Sequence, residues 1–221
     1  MIFAGLDPSA KPENVSGLCL MDADKNILEL RKWHAREELL RLLLPYQKEI
    51  RWVGIDGPLQ PPHELHPCCF EENSRDCPHE QTTPFKGRYC EFLLNKNGFR
   101  CFTTSKNSFA KSWALRCFKL NEFLTAEGYR TAEVFPHASR RILFPDLVGK
   151  KQTSQNRKML RQKLKKEGLK FPQKEQNYTH DELDAVMAAY TIFLKEKGQT
   201  IALGDWRDGF VVIPRTDLKY F

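Results

Sequence analysis

A mixed β-sheet with helices packed on it, the α/β class, is what three features of the 221-residue chain predict. An apolar strand and a β-hairpin come first. Strands then alternate with helical segments, an order that a mixed sheet accommodates. Near the end, "THDELDAVMAAYTIF" (Thr179 to Phe193) is apolar almost all the way round a helix, so it belongs in a core. The length suits a single domain over 1–221.

The elements follow in order. "MIFAGLD" is a short apolar run ending in an acid, the pattern of a buried strand whose last residue emerges at the sheet edge. "SGLCLMD" and "NILELRK" flank the turn residues "ADK" and predict a hairpin. Ala35 to Tyr46 carries an amphipathic helical pattern that Pro45 ends. "IRWVGID" is a second strand closing on an acid. A proline-rich insert over 57–87 follows, with three histidines and three cysteines. "SFAKSWALRCFKLNEFLTAEG" predicts the clearest helix, with Phe109, Trp113, Cys117, Leu120 and Leu124 on one stripe and Gly128 as its stop. "RTAEVF" is a third apolar strand that contains Glu133. A basic helix is expected from Asn156 to Glu167, ended by Gly168, and the core helix comes next. "TIALGDWRDGFVVIP" then predicts two short strands around a turn.

Composition narrows the class. The start has neither the basic nor the long apolar region of a signal peptide, and no run reaches the length of a membrane span, which points to a cytoplasmic protein. Seven cysteines, an odd number, fit reduced thiols better than a secreted disulfide framework. The net charge of +7 is concentrated in a basic segment over 150–174, which carries ten Lys/Arg against one acid and leaves a net −2 for the rest. Such a patch suggests a polyanionic partner, DNA or RNA, through Lys150, Lys151, Arg157, Lys158 and Arg161, with Arg140 and Arg141 as further contacts. A solvated helix face with surplus lysines is the alternative.

The core helix raises a question, because Asp184 sits in its middle. An ionised side chain in apolar surroundings is costly unless a cation or several donors meet it. Functional crevices in α/β sheets lie outside the carboxyl ends of the strands, and Asp7 and Asp56 each end a strand. Asp184, on a helix crossing that crevice, completes a set of carboxylates that repel unless a divalent cation neutralises them. Mg²⁺ or Mn²⁺ would suit such oxygen ligands, and a pair of ions roughly 3.5–4 Å apart stabilises both oxygens of a phosphodiester displacement. Bland alternatives stand beside each acid. Glu182 with Thr179 forms a capping box, and Asp181 in the first turn favours the helix dipole. Asp7 and Asp56 could open turns, and Glu133 could pair with an arginine of the basic segment.

Two resemblances bear on these residues. "GLDPS" followed by a Gly-led strand, and "HDELDAVMAA" near the end, resemble the first and last acidic motifs of RuvC-type Holliday-junction resolvases in the ribonuclease-H-like superfamily. A resemblance over nearly the whole chain is to the family catalogued as domain of unknown function four hundred and twenty-nine, described as predicted ribonuclease-H-like nucleases. "GLD", "GIDGPL", "GRYCEFLLNKNG", "EVFPHAS", the stretch with Arg157 and Leu160, "DELDAVMAA" and "GFVVIP" carry it, in that order. The resemblance implies a ribonuclease-H-like fold and a two-ion nuclease. Asp7, Asp56 and Asp184 would be its Mg²⁺ or Mn²⁺ ligands, with Glu133 and Asp181 as catalytic auxiliaries. The chain departs from the resolvases in its second acid, an Asp in "IDGPL" where those enzymes have a Glu, and in its long insert. A non-catalytic nucleic-acid-binding protein with a degenerate site is the second expectation. Sugar-kinase and actin-like ATPases share the fold core, but this chain is too short for two such domains and "GLDPSAKPEN" lacks their phosphate-loop glycines.

The insert has its own chemistry. "PPHELHPCCFEENSRDCPHEQTTPF" offers His63, His66, Cys68, Cys69, Cys77 and His79, and a zinc ion would hold so long an irregular loop. Against zinc, there is no pair of cysteines two residues apart, and adjacent cysteines seldom both reach one tetrahedral ion. Ordinary loop thiols and surface histidines are the alternative.

Overall fold

Central strands in a two-faced sheet are apolar on both sides, and β1 (Ile2–Asp7) is buried at every position but its last. The computed structural model describes residues 1–11, 13–71, 77–149, 151–172 and 177–219. The other strands are β2 (Ser16–Asp22), β3 (Ile27–Trp33), β4 (Ile50–Asp56), β5 (Thr131–Val134), β6 (Thr200–Asp205) and β7 (Gly209–Pro214). They form one mixed sheet in the order β3-β2-β1-β4-β5-β7-β6. The expected hairpin is β2–β3, antiparallel to each other, with β2 antiparallel to β1; β4, β5 and β7 continue parallel to β1. The closing pair β6–β7 is antiparallel, as expected of two strands around a turn.

Helices cover both faces. α1 (Arg36–Leu43) and α3 (Lys111–Ala126) lie on one side, where Leu39, Leu43, Leu120 and Leu124 pack with Ala4, Leu6, Val53 and Ile55. α6 (His180–Glu196) lies on the other, and its residues from Leu183 to Leu194 are all buried. This close approach needs glycine beneath the helix. A side chain on Gly5 would overlap the backbone of Ala185 and Ala189, and one on Gly54 would strike Ile192. The predicted capping box holds the start of α6: the Thr179 N–H donates to Glu182 Oε2 at 2.7 Å, and the Glu182 N–H donates to Thr179 Oγ1 at 3.3 Å.

Other expectations need adjustment. α1 stops at Leu43 and a tight turn, Leu44–Tyr46, contains Pro45. α3 begins two residues after Phe109, so its buried face starts at Ala114 and continues with Cys117, Leu120 and Leu124, while Trp113 of the expected stripe is half-buried. Phe109 itself is 85% exposed and meets Phe102 edge to face. The basic helix is α5 (Ser154–Lys166), capped by Thr153 and followed by Gly168 in the left-handed region at φ 92°. Two helices were not expected, α2 (Tyr89–Lys96) and α4 (Pro136–Leu143). Each has eight residues, too few for a helical period to show in the sequence. Among the described residues, no helix is long and apolar enough to cross a membrane.

Candidate functional site

Strand alternation places the acids. Gly5 and Gly54 face α6, so Asp7 and Asp56, two residues further along β1 and β4, face the same side at the carboxyl ends of adjacent strands. The first turn of α6 enters over these ends: a side chain on Gly17, the register partner of Asp7, would overlap the Asp181 carbonyl. Asp184, one turn further on, is 5% exposed.

The acids repel one another. Burial, then the Asp56 and Asp184 carboxylates, push the Asp7 carboxyl well above its ordinary range, and Asp181 adds a smaller push. Burial and Asp184, with Glu133 behind them, push Asp56 up to about 8. Lys151, in the turn before α5, opposes both and donates to Asp184 Oδ2 at 2.5 Å. Burial works against the Lys151 charge, but Asp184, Asp56 and Asp7 outweigh it and raise the ammonium above its usual value. Asp181 is paired with the neighbouring His180 at 3.1 Å. The three crevice aspartates share a field without converging. Among the described residues, the group of three or more ligand atoms lying within 4.8 Å of one another is elsewhere, in the insert.

Glu133 stands apart from this crevice. It points to the other face of the sheet, where Arg88 at the start of α2 grips it with two bonds of 2.6 Å each. The Leu59 N–H donates to it as well, at 3.1 Å. The arginine expected from the basic segment is therefore Arg88 instead, because β5 turns Glu133 away from α5. Burial pushes the Glu133 carboxyl up and Arg88 pulls it back. Arg88 is fully buried and also bonds Glu91, which accepts from Thr104.

His137 is a crevice neighbour that sequence reasoning missed. It follows β5, at the same edge as Asp7 and Asp56. Burial, then Arg140, Arg141 and Lys151, hold its imidazole below the ordinary value, while Asp184 pulls upward. It lies in the first turn of α4, a helix too short for its period to show in "EVFPHAS".

The expected cationic residues divide. Lys151 joins the acids. Arg140 on α4 is 7% exposed, and its Nε has no hydrogen-bond partner among the described residues. Arg141 turns away to donate to the Gly98 carbonyl at 2.7 Å. On α5, Arg157 bonds the Gln152 carbonyl, Lys158 is exposed, and Arg161 stacks over Phe171 and Tyr178. Lys150 lies outside the described residues. A second basic region was not foreseen. Lys11, Arg36, Arg116 and Lys119 line a cleft of about 370 Å³ that begins at Pro8, directly after Asp7.

In the insert, the side chains of Cys68, Cys69, Cys77 and His79 bring their ligand atoms within 4.8 Å of one another, a set that could hold a metal such as zinc. Cys77 Sγ is the hub, 3.4 Å from Cys68 Sγ, 2.8 Å from Cys69 Sγ and 3.4 Å from His79 Nδ1. Hydrogen bonding from Cys69, then from His79, lowers the Cys77 thiol to about 6. The other two expected ligands are engaged elsewhere. His63 Nδ1 lies 2.9 Å from Asp208 Oδ1, and His66 accepts from the Cys68 N–H at 3.3 Å to cap the turn Pro67–Phe70. Asp208 is itself buried and was not singled out in the sequence. No family model, curated protein or solved structure matches the chain.

Proposed function

We propose that the chain is a ribonuclease-H-like nuclease that hydrolyses phosphodiester bonds of nucleic acid with Mg²⁺ or Mn²⁺. The observation that carries this is the crowding of buried acids at the carboxyl ends of β1 and β4: burial, Asp56 and Asp184 lift Asp7, and burial and Asp184 lift Asp56. That donor set fits a hard divalent cation, which prefers oxygen ligands and would relieve the repulsion. Asp7, Asp56 and Asp184 would hold it. A cation held there would supply an activated water and would stabilise charge on the phosphate. The chain's own groups do the rest. Lys151 balances Asp184 until substrate and cation arrive, neutral His137 can accept a proton at the crevice rim, and Arg140 offers an unsatisfied buried Nε–H to a phosphate oxygen. The mixed sheet, with acids on adjacent strand ends and an acid-bearing helix laid across them, supports the fold half of this reading.

Incubation with Mg²⁺ or Mn²⁺ and a panel of single-stranded, duplex, hybrid and branched nucleic acids tests the proposal. Some member should be cut, and Asp7→Asn should lose the cleavage while keeping the wild-type circular dichroism. Cleavage that survives in Asp7→Asn or in excess chelator would overturn it. A second reading, nucleic-acid binding without catalysis, is favoured by one observation, that the three aspartates do not converge within 4.8 Å. Salt-sensitive binding of the whole panel with no cut product would establish that reading.

A further inference from the structure

We infer that Cys68, Cys69, Cys77 and His79 bind one structural zinc ion, which closes the insert on itself where it packs against α3. A tetrahedral zinc with thiolates at about 2.3 Å needs sulfur–sulfur edges of roughly 3.8 Å. The four ligand atoms already lie within 4.8 Å of one another, with Cys77 Sγ 3.4 Å from both Cys68 Sγ and His79 Nδ1. Outward shifts of about 1 Å at the Cys69–Cys77 edge, which is 2.8 Å here, and less at the Cys68–Cys77 edge would open space for the ion. The adjacent cysteines both reach the hub because the turn Pro67–Phe70 curls them to one side, and the His66 ring on the Cys68 N–H fixes that turn. His66 also stacks on the His79 ring, which orients the fourth ligand.

The surroundings are those of a staple. A loop with little regular structure has few ways to hold its shape. This one buries Cys69 and Phe70 against Ala114 and Phe118 of α3, and the Phe70 and Phe118 rings meet edge to face at 5.1 Å. Two lysines close the seam: Lys106 donates to the Cys77 carbonyl at 2.6 Å and Lys111 to the Glu71 carbonyl at 2.9 Å. α3 in turn holds the loop after Asp7, where Trp113 Nε1 donates to the Pro8 carbonyl at 3.0 Å and Arg116 to the Ser9 carbonyl at 2.8 Å. The same helix backs Gly57, the residue after Asp56, with Trp113 and Cys117. Zinc would therefore order a seam two contacts away from the acid crevice. The assignment stands on the insert alone and does not depend on nuclease activity.

Metal analysis of the full chain, expressed in zinc-supplemented medium and purified without chelator, decides the matter. We expect one zinc per chain, three thiols protected from a thiol reagent until chelator is added, and charge-transfer and d–d bands of a tetrahedral thiolate site after cobalt exchange. Cys77→Ser should lose the metal, while Cys101→Ser should keep it. His79→Ala should keep the fold and release zinc to a chromogenic chelator faster than wild type. Should Cys77→Ser not fold, the wild-type metal content and thiol count still decide. Less than a tenth of an equivalent of zinc with all three thiols reactive at once, or a Cys68–Cys77 disulfide in freshly prepared protein, would overturn the assignment.

Discussion

Asp56 and Glu133 sit at nearly the same height on neighbouring strands, yet their surroundings differ in kind. Glu133 pairs in register with Ile55, and Asp56 with Val134, so the two carboxylates leave opposite faces of one sheet edge. On its face, Glu133 meets a bidentate guanidinium and a backbone N–H. On the other, Asp56 meets Asp184 and is driven up to about 8. The fold supplied one carboxyl with a full set of donors and left the other facing further acids. Pairing with a counter-charge is what distinguishes these two acids, which are equally visible in the sequence.

The sharpest way to break this comparison is to remove the guanidinium. Arg88→Leu would leave Glu133 and Glu91 buried without a counter-charge, and breaking a buried pair on one side costs about 3–5 kcal/mol. We expect a loss of that order in the denaturant midpoint, partly recovered in Arg88→Leu/Glu133→Gln. A loss below ~1 kcal/mol, within the range of exposed pairs, would show that Glu133 is not held as an ionised buried acid.

The same contrast explains what the sequence made legible. All seven strands and the core helix were readable, because apolar runs closed by acids or turns mark buried strands and an all-round apolar helix marks the centre. The positions of Asp7 and Asp56 followed from strand ends, and the capping role of Glu182 from its spacing to Thr179. Pairings across long sequence distance were not readable. Nothing local in "GRYCEF" announces that Arg88 will reach Glu133, 45 residues away, nor that Lys151 will reach Asp184 rather than solvent. The insert was partly readable. Its residue types offered ligand atoms for a metal, but a count of candidates could not separate the four that cluster from His63, which Asp208 claims from 145 residues away. Short α2 and α4 escaped for want of a period, and His137 escaped with α4.

A second, smaller effect lies on the unpaired side. The folded Asp56 carboxyl titrates near 8, whereas its ordinary value is 3.8, so the folded state holds more protons than the unfolded chain between those values. Stability of the metal-free protein therefore falls as pH rises from about 4 to 8. Asp56→Asn removes the charge and should be the more stable protein at pH 8, by about 1–2 kcal/mol once solvent screening at the crevice mouth is allowed for. At pH 5 the two should converge. Melting curves in chelator across that range would check it, and a gap that is flat in pH, or reversed, would mean that Asp56 is not under strain.

The smallest expected effect concerns Asp184, where the two kinds of surroundings meet in one residue. Its Oδ2 accepts from Lys151 at 2.5 Å, yet its charge also raises Asp7 and Asp56. Asp184→Asn loses the pair and relieves the repulsion, and these oppose each other. The Lys151 side chain is 36% exposed, so the pair itself is worth little. We expect the metal-free variant to lie within about 1 kcal/mol of wild type, the range of an exposed ion pair. Metal separates what stability alone does not. If Lys151 occupies the charge position that a divalent cation would take, Mg²⁺ or Mn²⁺ must compete with its ammonium. Lys151→Met should then bind the ion more tightly than wild type, and Asp184→Asn more weakly. Titration of each protein with Mn²⁺, followed by paramagnetic broadening of the ion and by the rise in melting temperature, gives the order directly. Equal affinities in all three would mean that Lys151–Asp184 is an architectural pair like Arg88–Glu133, and that the crevice and the buried network differ only in how well each is compensated.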